Sequence, residues 1–133
     1  MTLMDTHIWI WWEFKPELIP PGIRSALDAA EFNKELSVSV VSVWEIATKV
    51  SLEKLVLPCP VREWVENTTV GGLVAILPLT PDIALASAEL PEPFHRDPAD
   101  RLIVAQARRS RATLVTADRK ILAYPHVKTA PWE

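Results

Sequence analysis

The sequence predicts an α/β protein, a three-layer fold with a mostly parallel central sheet of about five strands and helices on both faces. Two observations carry that expectation. Short runs of β-branched and aliphatic residues alternate along the chain with stretches whose apolar residues recur at helical spacing. The 133 residues also suit a single domain, 1–133, with 49% hydrophobic and 23% charged residues and no internal repeat.

In order, residues 2–4 read as a strand, followed by the aromatic run Ile8-Trp9-Ile10-Trp11-Trp12. Pro20 and Pro21 open a helix through Ile23, Leu27 and Ala30. Residues 36–41 form a β-branched strand. Ser42 and Glu45 then have capping-box spacing, with Val43, Ile46, Ala47 and Val50 as the apolar stripe of a helix. Helices follow over residues 61–68 and 81–90, with a strand at 73–79 between them. A loop through 91–95 leads into the clearest helix, 97–109, where Asp97 is the N-cap and Pro98 the first helical residue. Residues 113–116 read as a strand, 117–122 as a short helix and 127–129 as a last strand.

Composition narrows the function classes. One cysteine, Cys59, lies between Pro58 and Pro60, which rules out an internal disulfide and points to a reducing compartment. No apolar run approaches the ~20 residues that span a bilayer. Asp5 interrupts the first apolar stretch with no basic residue before it, unlike a signal peptide. A cytoplasmic protein without membrane contact is the expectation. The net charge of −3 argues against gripping nucleic acid by bulk charge, although a local basic rim is compatible with it. With three glycines in all, no Gly-rich phosphate loop or dinucleotide fingerprint is present. Zinc-protease and serine-esterase motifs are absent too.

Ligands of parallel sheets gather beyond the carboxyl ends of the strands. Asp5 follows the first strand, Glu45 begins the helix after the second, and Asp118 follows the strand at 113–116. Asp100 joins them by helical spacing: steps of three, four and seven reach Ile103, Val104 and Ala107, which puts it on the buried face of its helix. Each acid has a structural alternative. Asp97 and Asp118 suit helix caps, and Glu45 could close a capping box or pair with Lys49. Asp5, between an apolar strand and a tryptophan-rich run, is hardest to explain that way. Carboxylates converging without cysteine or histidine make an oxygen-rich site suited to magnesium or manganese, and such an ion can assist phosphodiester chemistry.

The run Leu3-Met4-Asp5-Thr6-His7-Ile8-Trp9-Ile10-Trp11-Trp12 resembles the start of PIN-domain toxins of the VapC type. The resemblance continues through Ser39-Val40-Val41-Ser42-Val43-Trp44-Glu45-Ile46-Ala47 and on to Lys49. It is strongest over His95-Arg96-Asp97-Pro98-Ala99-Asp100-Arg101-Leu102-Ile103-Val104-Ala105-Gln106-Ala107 and closes with Leu114-Val115-Thr116-Ala117-Asp118. It implies a PIN fold and a Mg- or Mn-dependent endoribonuclease, the toxin of a toxin–antitoxin pair. It matches Asp5, Glu45, Asp100 and Asp118 to the family's four acids, the first three holding metal. Thr116 matches a hydroxyl residue near the metal, with Thr6 and Asp97 in support. Partners implied are RNA, a small antitoxin and a second copy of the chain.

Arg96 and Arg101 flank the acid block and are candidates for phosphate contact, although Arg101 could instead pair with Asp97 at i,i+4. Arg108, Arg109 and Arg111 read as a solvated helix end. His7 and His95 read as structural. Trp9, Trp11, Trp12 and Trp44 are divided between core or interface and base-stacking roles. Rival readings are a non-catalytic PIN-fold or receiver-like binding module and an acid-cluster phosphatase. The phosphatase needs a second acid two residues after Asp5, where His7 stands. A receiver needs an adjacent acid pair and a lysine after a late strand, and neither is convincing here.

Overall fold

The structure, a computed structural model, describes all of residues 1–133. Its sheet contains β1 (Thr2–Met4), β2 (Leu36–Ser39), β3 (Val74–Leu77) and β4 (Thr113–Val115), ordered β3-β2-β1-β4 and parallel throughout. Thr2 registers with Leu36 on one side and Thr113 on the other, so β1 is central and all four strands end at one edge. The helices are α1 (Thr6–Phe14), α2 (Pro21–Phe32), α3 (Val40–Ser51), α4 (Val61–Thr68), α5 (Pro81–Ala88), α6 (Pro98–Arg109) and α7 (Arg119–Leu122).

Strand alternation divides the apolar residues into two cores. Met4, Leu36, Val38, Val74 and Val115 face a core with Ile8, Trp9, Ile23, Leu27, Ile46 and Trp64, from α1 to α4. Leu3 and Leu114 face the other, filled by Ile83, Ala86, Ile103, Val104, Ala107 and Ile121 from α5, α6 and α7. Burial on both faces explains the absence of polar alternation in β1. No helix is long and apolar enough to cross a membrane.

Several expectations need correction. The sheet has four strands, not about five. Residues 127–129 add only a bridge, Leu114 to Thr129, with Leu114 N–H donating to Lys128 and Ala130 N–H to Leu114. Pro125 and Pro131 bracket that segment and leave little backbone for a longer ladder. The second strand stops at Ser39, whose Oγ accepts from Val41 N–H at 3.0 Å and begins α3. Val40 and Val41 are helical despite their β preference, because Val41 is buried in the core from that geometry. Ser42 is therefore a first-turn residue and not the cap. The helix from Pro81 ends at Ala88, short of residue 90, as Pro91 approaches. The last helix begins at Arg119, after an Asp118 cap. The unassigned aromatic run lies in α1.

Trp9 is wholly buried and packs on Trp64 with ring centroids 4.8 Å apart. Trp9→Ala should cost about 3–5 kcal/mol in urea denaturation. Trp44 is 61% exposed on α3, and its replacement by alanine should stay within about 0.5 kcal/mol.

Candidate functional site

Asp5 is the first residue beyond β1, and its N–H donates to the Val115 carbonyl at the end of β4. Its side chain is the N-cap of α1, and the residue is only 3% exposed. Oδ1 accepts from Thr6 N–H at 2.9 Å, and Oδ2 accepts from the Thr116 hydroxyl at 2.7 Å. His7 Nε2 accepts from Ala117 N–H at 3.1 Å, which leaves the ring proton on Nδ1, 3.5 Å from Asp5 Oδ2. Two hydrogen bonds thus orient Asp5, with the His7 ring beside them.

A second chain of bonds orients Glu45. Thr6 Oγ1 donates to Glu45 Oε1 at 2.5 Å and lies 2.8 Å from Ser42 Oγ. Thr6 has one hydroxyl proton, so Ser42 must be the donor in the second contact. The buried Thr116 hydroxyl also accepts from Asp118 N–H at 3.0 Å, and Asp118 Oδ1 in turn caps α7 by accepting from Lys120 N–H at 2.8 Å. Asp100 sits in the first turn of α6, its N–H donating to Asp97 Oδ1 at 3.0 Å. Its Oδ2 lies 3.3 Å from His95 Nε2.

The acids feel one another. Asp100 is pushed up to about 7, first by burial and then by the negative charges of Asp5, Asp97, Asp118 and Glu45. Glu45 is also raised, chiefly by burial, against the lowering effect of the Thr6 hydrogen bond. Five carboxyl groups therefore share one electrostatic neighbourhood. No three of the chain's Asp, Glu, His or Cys side chains stand close enough to form a ready coordination shell. In donor chemistry the group fits a hard divalent cation, whose charge would offset the repulsion that raises Asp100.

Hydrogen bonds link Asp5, Thr6, Glu45, Thr116 and Asp118, and electrostatics adds Asp97 and Asp100. Asp97 is also the cap expected of it. Arg101 is placed elsewhere. Only 6% exposed, it donates to the carbonyls of Ser87, Phe94 and His95 and to Glu92 Oε1. It anchors the loop before α6, and it neither pairs with Asp97 nor offers its guanidinium to a phosphate. Arg96 is open to solvent and lies 3.5 Å from Glu92. Ser42 and His7 are the site residues that sequence reasoning passed over. Their available signals were Ser42 one turn before Glu45 on the same helix, and His7 two residues after Asp5.

An acid-lined carboxyl edge on a doubly covered parallel sheet defines an α/β protein with an oxygen-donor site. Within that class the chain belongs to the PIN-domain family, whose model matches residues 2–127. It is 33% identical over 124 residues to ribonuclease VapC22 of Mycobacterium tuberculosis, covering 93% of this chain and 92% of that protein. Three solved structures share the fold. The VapBC2 structure from Rickettsia felis, bound to a promoter DNA fragment, aligns with TM-score 0.75 and 19% identity over 99% of this chain and 98% of that one. FitAcB from Neisseria gonorrhoeae gives 0.70 and 22% over 100% and 99%. DNA-bound VapBC from Salmonella typhimurium gives 0.69 and 19% over 100% of each chain.

Because its folded pKa is raised, Asp100 contributes stability below about pH 4 that is lost as pH rises toward about 7. In chelator, the unfolding free energy of the native chain relative to Asp100→Asn should therefore fall across that range. Urea denaturation at a series of pH values measures it, and a flat difference would remove the claim that Asp100 is crowded.

Proposed function

We propose that this chain is a divalent-metal-dependent endoribonuclease, the toxin of a toxin–antitoxin pair. The observation that carries the reading is the crowding of Asp100 by Asp5, Asp97, Asp118 and Glu45 at the carboxyl edge of the sheet. Such mutual repulsion suits a site for a cation and a phosphate, and the relative named ribonuclease VapC22 supplies the activity.

Asp5, Glu45 and Asp100 would hold Mg²⁺ or Mn²⁺, directly or through water, with Asp118 in support. When bound, the ion supplies Lewis acidity toward water and the scissile phosphate. The protein's own contribution is orientation. Thr116 and His7 hold the Asp5 carboxylate, and Thr6, with Ser42 behind it, holds Glu45. Arg96, open to solvent and next to Asp97 in the chain, would meet RNA phosphate. In the hydrolysis a water oxygen bonds to phosphorus and one bridging P–O bond breaks, leaving a phosphomonoester and a hydroxyl end.

The partner reading follows from the family resemblance and from solved relatives that include a toxin–antitoxin complex from Klebsiella pneumoniae. A small antitoxin would block the acid edge, and the chain would work as a homodimer.

Asp5→Asn should abolish cleavage of a mixed RNA pool while circular dichroism reports an unchanged fold. Chelation should silence the native chain, and Mg²⁺ or Mn²⁺ should restore it. Full cutting by a folded Asp5→Asn chain would sink the assignment.

A further inference from the structure

The candidate acids are not equally well held. Asp5 accepts from Thr6 N–H and the Thr116 hydroxyl, Glu45 from the Thr6 hydroxyl, and Asp118 from the N–H groups of Lys120 and Ile121. Asp100 has no such donor. Burial and four negative neighbours raise it, and no hydrogen bond opposes them. Its own N–H is taken by Asp97 Oδ1 and does nothing for its carboxylate. A carboxylate that is to bind an ion needs its other oxygen fixed, because partners behind a ligand set its orientation and its affinity.

His95 stands against that carboxylate. Its Nε2 lies 3.3 Å from Asp100 Oδ2, and both side chains are largely shielded from solvent. The nitrogen is buried and makes no hydrogen bond to any group of the protein. The contact with Asp100 has the distance of a hydrogen bond without its alignment. A buried ring nitrogen left unpaired costs about 1–3 kcal/mol, so its placement calls for a reason. The ring is also fixed from behind. It packs on Phe94 with centroids 4.4 Å apart, and Arg101, the residue after Asp100, donates to the carbonyls of both Phe94 and His95. One turn of α6 thus carries the acid and also anchors the backbone that presents the imidazole to it.

We propose that His95 is the positioning residue of Asp100: its Nε2–H donates to Asp100 Oδ2 and leaves Oδ1 for a divalent cation. An unpaired donor faces an unpaired acceptor, and a turn of the carboxyl group about its own bond satisfies both. An ionised carboxylate has no proton to give, so the ring nitrogen is the donor. The neutral imidazole with its proton on Nε2 is sufficient for the role. His95 touches the acid, and it acts on the ion only through Asp100. The inference rests on the metal-dependent reading and adds to it a residue by which this chain sets its affinity for the cation.

The test separates the donor from the ring. His95→Phe keeps an aromatic ring against Phe94 and removes the N–H, whereas His95→Gln gives up the ring and keeps an N–H donor. Binding of Mn²⁺ to each full-length chain, without RNA, is followed by electron paramagnetic resonance of the free ion. His95→Phe should raise the Mn²⁺ Kd roughly 10- to 100-fold, and His95→Gln should stay much closer to the native value. The Mn²⁺ concentration for half-maximal RNA cleavage should move in step. A role in packing alone gives the opposite order, with His95→Phe tolerated and His95→Gln harmful, and that order overturns the proposal. Should His95→Phe fail to fold by circular dichroism, His95→Leu removes the same donor. Native binding that loss of the donor leaves unchanged overturns the role of His95 and leaves the metal site standing. If the native chain binds no Mn²⁺, the metal reading falls and the inference falls with it.

Discussion

A carboxylate buried at the end of the central strand is the constraint on which the rest of the structure depends. Asp5 is 3% exposed, and such a group is costly unless its oxygens are occupied. Its partners come from the first turn of α1 and from the end of β4. They exist only when β4 lies beside β1 and α1 starts at once, which is why strand order and acid edge are set together. The same hydroxyl that satisfies Asp5 receives the Asp118 N–H, so the start of α7 is fixed by the same arrangement. Ser42 and Thr6 extend it to α3.

Crowding acids at one edge works against folding stability, since Asp100 is raised by four neighbouring negative charges as well as by burial. The two apolar cores offset that cost on opposite faces of the sheet. Trp9, Ile46 and Trp64 back one face and Ile103, Val104 and Leu114 the other, so the elements that carry the acids are packed from both sides. The structure thus stores its local conflict at the edge and its consistency in the layers, as expected where local rules yield to function.

Much of this was legible in the sequence. The alternation of strands and helices gave the class, and Asp97-Pro98 marked the start of α6 at the right residue. Asp5 stood out because an acid inside an apolar run is hard to explain from sequence, although the structure also makes it the N-cap of α1, and Asp100 because helical spacing put it on a buried stripe. What was missed depends on distance along the chain. Ser42 looked like a cap because its partner, Thr6, is 36 residues away. His7 read as structural, but its partner could not be named because it accepts from Ala117, 110 residues away. Arg101 had Asp97 at the ideal helical spacing, yet its guanidinium turns inward to loop carbonyls, a choice that spacing along one helix cannot reveal. The proposed fifth strand failed for a nearer reason: its flanking prolines limit it to one bridge.

The hydrogen bond from Thr116 to Asp5 joins residues 111 positions apart. The ribosome makes Asp5 well before Thr116, with β2 and β3 between them. A nascent chain with β1, β2 and β3 already emerged still lacks the strand and the hydroxyl that complete the acid edge. Closing so long a loop waits for Thr116 to emerge, so the edge stays unassembled until then. Order of synthesis alone delays the appearance of an organised acid site until β4 and Thr116 have left the exit tunnel.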